Sequence, residues 1–349
     1  MINLLDLSYE ELSQFIEGDL NEPPRRTEQI WKLLWQKRIK DITKDKGLHP
    51  DFQKRLSTVA VNTRPEIVET QKSQDGTVKF LLRLHDGECI ETVLIPMRGS
   101  YSQCLSTQVG CAMGCTFCNT GQLGFTRNLS VGEILGQILV GKDYLLDNSM
   151  PALKNLVFMG MGEPLMNFNN LVKALHMIPS ESGLSISWRR SQVSTVGIPH
   201  RLVQLGKMKL SIPAISLHAP NQKLRESIMP IAKRYPLEDL MAAIDAYPLG
   251  SRDRIVFEYL LLKGVNDSLE TADELGKLLQ GRHAKVNLIS YNATEGMPYK
   301  TPSEAHCEAF LQQLRKYGLT VFLRRSMGDD ISAACGQLRA AENDSATLK

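Results

Sequence analysis

The chain has 349 residues, 42% of them hydrophobic and 23% charged, and a formal net charge of +3. This composition is ordinary for a globular protein. It contains no apolar run near the ~20 residues needed to span a bilayer, and so small a net charge leaves any nucleic-acid binding to local basic patches. The start, Met1 to Asp6, has neither a basic cluster nor a long apolar stretch, unlike a secretory leader. Seven cysteines, an odd number concentrated mid-chain, point to a reducing cytoplasm rather than an extracellular disulfide framework.

Residues 1–60 read as a small helical domain. Ser8 and Glu11 make an S-x-x-E capping box ahead of Leu12, Phe15 and Ile16. Pro23-Pro24 interrupts the chain, and a second helix is predicted over Thr27–Arg38, with Ile30, Trp31, Leu34 and Trp35 on one face. Arg25, Arg26, Lys32, Lys37 and Arg38 form either a solvated basic face or a contact for an RNA backbone. Residues 61–99 turn to short alternating runs. Thr77–Leu84 and Glu88–Pro96 flank His85-Asp86-Gly87, so a β-hairpin extension is expected to link the helical domain to the core. Glu91 falls in its second strand, where a glutamate usually faces solvent.

Residues 100–341 alternate strand and helix, the pattern of a parallel sheet or barrel. Strands are predicted at Gln103–Gln108, Asn155–Met159, Arg190–Thr195, Ile215–Leu217, Ile255–Leu262 and Lys285–Ser290, with a short one at Thr320–Arg324. Ser130 and Glu133 cap a helix that runs to about Leu146, and the last helix covers Ser303–Tyr317. Six βα units are too few for a closed eight-stranded barrel. The fold class is therefore α/β, a partial (β/α)6 barrel of the TIM type whose open side could admit a large substrate. Residues 342–349 read as a polar tail.

In parallel βα folds, ligands sit at the carboxyl ends of the strands. The stretch there that carries most chemistry is Cys111-Ala112-Met113-Gly114-Cys115-Thr116-Phe117-Cys118, a C-x3-C-x2-C loop. A structural zinc site takes four protein ligands, and no fourth cysteine or histidine follows within the next ten residues. A thioredoxin-like dithiol of Cys115 and Cys118 would leave Cys111 idle. Three buried structural thiols are the plain alternative. Three thiolates on an iron–sulfur cubane would leave one iron open for a substrate.

Gly160-Met161-Gly162-Glu163-Pro164 follows a strand but lacks the third glycine and the acidic spacing of a dinucleotide loop. Its glycines would let the backbone approach a ligand. Ser194, His218 and Asn292 also fall at strand ends. Cys104 precedes the loop by seven residues, in a strand aimed at it. Cys335 lies among Ala333, Ala334 and Gly336, which leave its thiol room, whereas Cys89 and Cys307 read as core. Arg189-Arg190 and Arg324-Arg325 are either phosphate contacts or solvated surface.

The C-x3-C-x2-C loop resembles the cluster loop of radical S-adenosylmethionine enzymes. Further motifs narrow the resemblance to the RlmN/Cfr family of RNA methyltransferases: Gln108-Val109-Gly110-Cys111, Phe158 to Leu165, Ser216-Leu217-His218-Ala219-Pro220, Gly264-Val265-Asn266-Asp267 and Ala334-Cys335-Gly336-Gln337-Leu338. Glu163-Pro164-Leu165 and His218-Ala219-Pro220 are closer to the RlmN branch, which methylates carbon 2 of adenosine in 23S ribosomal RNA and tRNA. The Cfr branch targets carbon 8 of the ribosomal adenosine.

The resemblance implies a 4Fe–4S cluster on Cys111, Cys115 and Cys118. It implies S-adenosylmethionine held by Gly162, Glu163, Ser194, Ser216, Leu217, His218 and Asn292. It also implies three catalytic residues: Cys335 as methyl carrier, Glu91 as proton acceptor, and Cys104 forming a transient disulfide with Cys335. The partners it implies are 23S rRNA, tRNA and a flavodoxin-type electron donor, acting on a cytoplasmic monomer with no membrane association. The alternatives are a Cfr-like carbon-8 enzyme and a radical S-adenosylmethionine enzyme with a non-RNA substrate.

Overall fold

A computed structural model describes residues 1–251, 253–294 and 296–339. Residues 340 and 341 of the expected barrel segment, and the tail at 342–349, lie outside the described residues.

The chain opens with a two-residue strand, β1 (Ile2–Asn3). Helix α1 (Tyr9–Ser13) starts at the expected box, with Ser8 accepting from the Glu11 N–H and Glu11 reaching back to the Ser8 N–H. Helix α2 runs over Pro24–Trp35. It begins three residues before the expected position because Pro24 starts the helix rather than breaking it, a first-turn position where its missing N–H has no partner to lose. After α3 (Pro50–Val59), β2 (Ala60–Val61) pairs parallel with β1. Trp31 is buried between Tyr9, in an edge-on contact at 5.4 Å, and Trp35.

A ten-stranded sheet follows. Its antiparallel wing is β3 (Glu66–Lys72), β4 (Val78–Arg83) and β5 (Cys89–Met97). The expected hairpin is therefore two strands of three, and β5 pairs antiparallel with β6 (Ser100–Cys104), the first strand of the parallel core. The strand expected over Gln103–Gln108 divides. β6 ends at Cys104, and the chain resumes as β7 (Gln108–Gly110), which pairs with β8 (Phe125–Asn128) after the short α4 (Asn119–Gln122). Helix α5 (Val131–Asp147) has the expected Ser130/Glu133 box.

Then follow β9 (Leu153–Phe158), α6 (Phe168–Met177), β10 (Ser191–Thr195), α7 (Pro199–Met208), β11 (Ile212–Ser216), α8 (Gln222–Ile228) and α9 (Leu237–Asp245). The run closes with β12 (Ile255–Leu261), α10 (Leu269–Leu279), β13 (Ala284–Ser290), α11 (Glu304–Arg315) and β14 (Thr320–Arg324). Strands β6 and β9 to β14 are parallel and stand in chain order across the sheet. The sheet ends in β14 on one side and β3 on the other, so the six βα units form a partial barrel.

The N-terminal helices rest on α5. Arg64 pairs with Asp143 at 3.0 Å, Arg38 also pairs with Asp143, and the Gly132 N–H donates to Asp6 at 2.6 Å. Arg38 is thereby committed to a protein carboxylate, and Arg26 stacks over Phe52 and bonds Gln29. Of the basic face read from the sequence, Arg25, Lys32 and Lys37 remain exposed.

Candidate active site

The carboxyl ends of β9 to β13 and the segment between β7 and α4 enclose a cleft of about 860 Å³, its open mouth included. Cys111, Cys115 and Cys118 form one wall, and Gly162, Glu163, Ser194, Ser216, His218 and Cys335 also line it. Burial is the main influence on the three loop thiols. It pushes Cys111 up to about 12, with Glu163 and Cys118 adding to the shift, and it raises Cys115 and Cys118 as well. Three clustered thiols of this kind lose their protons to a metal, not to water.

Among the described residues, no three His, Cys, Asp or Glu side chains converge as the ligands of one ion would. Cys111, Cys115 and Cys118 share one wall of the cleft, and in a cubane each thiolate holds a different iron. The buried guanidinium of Arg225 beside Cys115 has two nitrogens without a hydrogen-bond partner, which suits an anionic group at this wall. The residues present therefore fit a 4Fe–4S cluster.

Gly160 and Gly162 line the cleft, and the loop that carries them also packs on a second side. Its close approach is to the chain ahead of the cysteines. A Cβ on Gly160 would stand 2.8 Å from the Leu105 carbonyl group, and one on Gly162 would stand 2.5 Å from Gln108 Cβ and 2.8 Å from Gln108 N. The two segments are zipped together. Gly160 N–H donates to the Leu105 carbonyl at 3.0 Å, Thr107 N–H to the Met161 carbonyl at 2.8 Å, and Glu163 N–H to Gln108 Oε1 at 2.8 Å. The Glu163 carboxylate is buried and accepts from Leu165 N–H (3.0 Å), Thr195 Oγ1 (2.7 Å) and Val196 N–H (2.8 Å). It thus ties β9 to β10 and presents one edge to the cleft.

His218 follows β11 in a left-handed conformation, φ 56°. Its Nδ1 accepts from Leu260 N–H at 3.0 Å, so Nε2 carries the proton and is a donor. Burial, with the Arg225 charge adding to it, holds this imidazole near 3, so it is neutral at physiological pH. Phe117 of the cysteine loop meets the His218 ring edge-on at 5.0 Å. Ser194 and Ser216 stand side by side, their hydroxyls 3.5 Å apart.

Cys335 lies on a loop clamped from two sides. Against the cysteine loop, Asn119 N–H donates to the Gly336 carbonyl (2.8 Å), Asn119 Nδ2 to the Gln337 carbonyl (3.1 Å) and Thr120 Oγ1 to the Leu338 carbonyl (2.7 Å). Against the antiparallel wing, Gly328 N–H donates to Asp75 (2.8 Å), Lys79 Nζ to the Ser332 carbonyl (3.3 Å) and Arg339 N–H to Glu91 Oε2 (2.6 Å).

Glu91 is consequently not a solvent-facing strand residue. It is 5% exposed, pairs with Lys79 at 3.0 Å, and lies behind the Cys335 loop rather than on the cleft wall. Cys335 is an exposed residue that lines the cleft, and surrounding protein, then Glu258 and Cys118, raises its thiol. Cys104 is fully enclosed at the end of β6, its thiol raised by burial and then by the nearness of Cys335. Cys89 and Cys307 are core residues.

Two expected ligand residues stand apart. The Leu217 side chain is wholly buried in the core, and its N–H donates to the Glu258 carbonyl. Asn292 is not on the cleft wall and donates to Ser326 Oγ at 2.7 Å. Arg189 and Arg190 precede β10, at the end of the sheet opposite the cleft, whereas Arg324 and Arg325 end β14 on the cleft side.

Sequence reasoning missed two charged residues. Glu258, in the middle of β12, lines the cleft and is held by Asn287 Nδ2 at 2.8 Å; Asn287 in turn accepts from Arg324 Nε at 3.1 Å. Its signal was a lone carboxylate in the apolar run Ile255–Leu262. Arg225 is the other.

The fold and this arrangement match known proteins. Residues 105–275 match the radical SAM superfamily, and residues 2–61 match the N-terminal domain of ribosomal RNA large subunit methyltransferases. The chain is 53% identical, over 97% of its length and 97% of the relative's, to the dual-specificity RNA methyltransferase RlmN of Solidesulfovibrio magneticus. The chain belongs to the RlmN family. It is also 50% identical to the enzyme of that name from Nitratidesulfovibrio vulgaris strain Miyazaki F, over 98% of this chain and 95% of that one. The crystal structure of a radical SAM methyltransferase from Sphaerobacter thermophilus superposes with a TM-score of 0.93 at 38% identity, covering 98% of this chain and all of that one. As an RlmN family member the chain is a radical S-adenosylmethionine RNA methyltransferase that uses a 4Fe–4S cluster and S-adenosylmethionine. Among the described residues no helix is long and apolar enough to cross a membrane.

Proposed function

We propose that this chain methylates carbon 2 of an adenosine in 23S ribosomal RNA and in tRNA, with Cys335 as the methyl carrier. The observation that carries this reading is the direct hydrogen bonding of the Cys335 loop to the three-cysteine loop through Asn119 and Thr120. Carbon 2 of adenine is an sp2 carbon bearing hydrogen and is not nucleophilic, so direct displacement on a sulfonium methyl does not suffice. When bound, the cluster and S-adenosylmethionine supply the electron, the methyl group and the radical that activates it.

In this reading Cys111, Cys115 and Cys118 hold the cluster. Gly162, Glu163, Ser194, Ser216 and His218, which line the cleft, hold S-adenosylmethionine, with the Nε2–H of His218 donating into the cleft; Leu217 would contribute only its backbone, and Asn292 would have to release Ser326 to join them. The Cys335 thiolate takes a methyl group, and the carbon it carries becomes bonded to carbon 2 of adenine. Glu91 takes the proton from carbon 2; its Oε2 accepts from Arg339 N–H and its Oε1 pairs with Lys79, so this role requires the Arg339 contact to open. Cys104 then attacks the Cys335 sulfur, forming the disulfide as the bond from that sulfur to the bridging carbon breaks; the carbon keeps that electron pair and takes a proton, which makes it the methyl group of the released base. Arg324 and Arg325 beside the cleft suit RNA phosphates, and residues 1–60 form an RNA-binding accessory unit with Arg25, Lys32 and Lys37 exposed. A flavodoxin-type protein would deliver the electron, and the chain would act as a monomer in the cytoplasm.

The test is chromatography of digested rRNA and tRNA from a strain lacking the chain, before and after its return. The expected result is 2-methyladenosine regained in both RNAs. Recovery of 8-methyladenosine alone would assign the chain to the Cfr branch.

A further inference from the structure

Arg225 is wholly buried and sits on α8, a helix whose other residues are mostly polar. A guanidinium carries five N–H donors in a fixed fork. Here Nη2 donates to the Val196 carbonyl at 2.6 Å and reaches the Ser216 carbonyl at 3.5 Å, and both of those residues line the cleft. Nε and Nη1 have no hydrogen-bond partner, and no carboxylate pairs with the side chain among the described residues. Leaving a buried cation so poorly matched is costly unless an anion compensates it.

The placement of Arg225 beside the cysteine loop follows from α8 itself. The carbonyl of Ile228, the last residue of the helix, accepts both the Thr116 N–H (3.0 Å) and the Thr116 hydroxyl (3.1 Å). The end of α8 is therefore fastened to the centre of the cysteine loop. Arg225 is one turn earlier on the same helix face, and the group that favours its charged form is the neighbouring Cys115 sulfur.

We propose that Arg225 is the counter-charge of the iron–sulfur cluster, directing Nε and Nη1 at the Cys115 side of the cubane and raising the cluster's reduction potential. Three thiolates and four sulfides make the centre anionic, and one-electron reduction adds a further negative charge. A fixed cation beside it favours the reduced form, because cluster potentials follow net charge, hydrogen bonds to sulfur and exposure. Arg225 is then a positioning and tuning residue, not a ligand. The inference rests on the cluster reading of Cys111, Cys115 and Cys118.

The experiment uses the full chain, reconstituted anaerobically with iron and sulfide, as wild type, Arg225→Gln and Arg225→Lys. Iron content and absorbance near 400 nm of the wild type test the cluster reading by themselves. Stoichiometric zinc without iron there would remove that reading and this one together. With wild-type iron confirmed, an electron-spin-resonance redox titration tests Arg225. Arg225→Gln should keep its iron and, at the wild-type midpoint, show a ratio of reduced to oxidised cluster at least tenfold lower, a shift of ~59 mV or more to more negative potential for one electron. Arg225→Lys should recover most of that loss.

Affinity of the oxidised holoprotein for S-adenosylmethionine should stay within about twofold in both variants. The apo form of Arg225→Gln should melt no lower than wild-type apo protein, since it sheds an uncompensated buried charge. An unchanged midpoint with iron retained would overturn the proposal. So would an unchanged midpoint with tenfold weaker S-adenosylmethionine binding, which would assign Arg225 to that ligand's carboxylate. Apo protein melting well below wild type, with iron lost in both variants, would make Arg225 a scaffold residue and overturn it equally.

Discussion

Gly162 offers the sharpest test of how the two loops of the site are joined. Its φ of +98° is a conformation that an L-residue adopts at a cost of about 1–2 kcal/mol. A methyl group there would stand 2.5 and 2.6 Å from Gln108 Cβ and Cγ and 2.8 Å from Gln108 N. Overpacking of that kind costs about 1–3 kcal/mol, and more where backbone must move. Gly162→Ala should therefore destabilise the protein by about 3 kcal/mol, lowering its Tm by roughly 4 °C for a chain of this size.

The strain falls on Gln108, three residues ahead of Cys111, so iron loading and S-adenosylmethionine affinity should fall with stability. Gly281→Ala is the control, because φ there is +81° but no atom lies within 4 Å of the new methyl. It should cost only the conformational term and leave iron loading intact. Differential scanning calorimetry of the apo proteins, followed by iron assay after reconstitution, separates the two effects. If Gly162→Ala melts with Gly281→Ala and loads iron normally, the packing of the glycine loop against Leu105–Gln108 is not what fixes the site.

Two further outcomes follow from charge. His218 is held near 3 in the folded protein by burial and Arg225, below the ~6.5 of an unfolded histidine, so the native state binds fewer protons. Its contribution is full above pH 6.5 and is lost as pH falls toward 3. By pH 5 about 2 kcal/mol of it is lost, so the difference in unfolding free energy between wild-type apo protein and His218→Gln should narrow by about that amount between pH 7.5 and 5. A gap that does not change with pH would contradict the neutral buried imidazole. For RNA binding, Arg325→Ala should weaken affinity and reduce the salt slope by about 1, whereas Arg189→Ala, at the far end of the sheet, should leave both unchanged. Equal losses would place RNA elsewhere.

Local chemistry made much of this protein readable before its structure. Ser8/Glu11 and Ser130/Glu133 start helices because their capping boxes satisfy orphan N–H groups without tertiary help. The parallel strands announce themselves as short apolar runs between helices, and C-x3-C-x2-C carries its ligand geometry in its own spacing. What stayed hidden depends on neighbours distant in sequence. Glu91 reads as a surface strand residue until Lys79 and the Arg339 N–H close over it. Gly160 and Gly162 line the cleft, but nothing in their sequence tells that Leu105 and Gln108 also pack against them. Arg225 on a polar helix reads as solvated, because nothing in Gln222–Ile228 tells that this turn faces the cysteine loop. The break after Cys104 was equally invisible, since β7 leaves the main sheet to pair with β8.

The central claim is that Cys335 carries the methyl group and Cys104 resolves the intermediate. It is tested most directly by the mass of the Cys335 peptide from Cys104→Ala after turnover with RNA and nuclease trimming. Without Cys104 the carrier can still be methylated and joined to adenine, but disulfide formation cannot release the product. A nucleotide-sized mass increase on the peptide containing Cys335 is expected, absent from Cys104→Ala/Cys335→Ala. Normal turnover by Cys104→Ala, or an adduct mapped to any residue other than Cys335, would contradict the account.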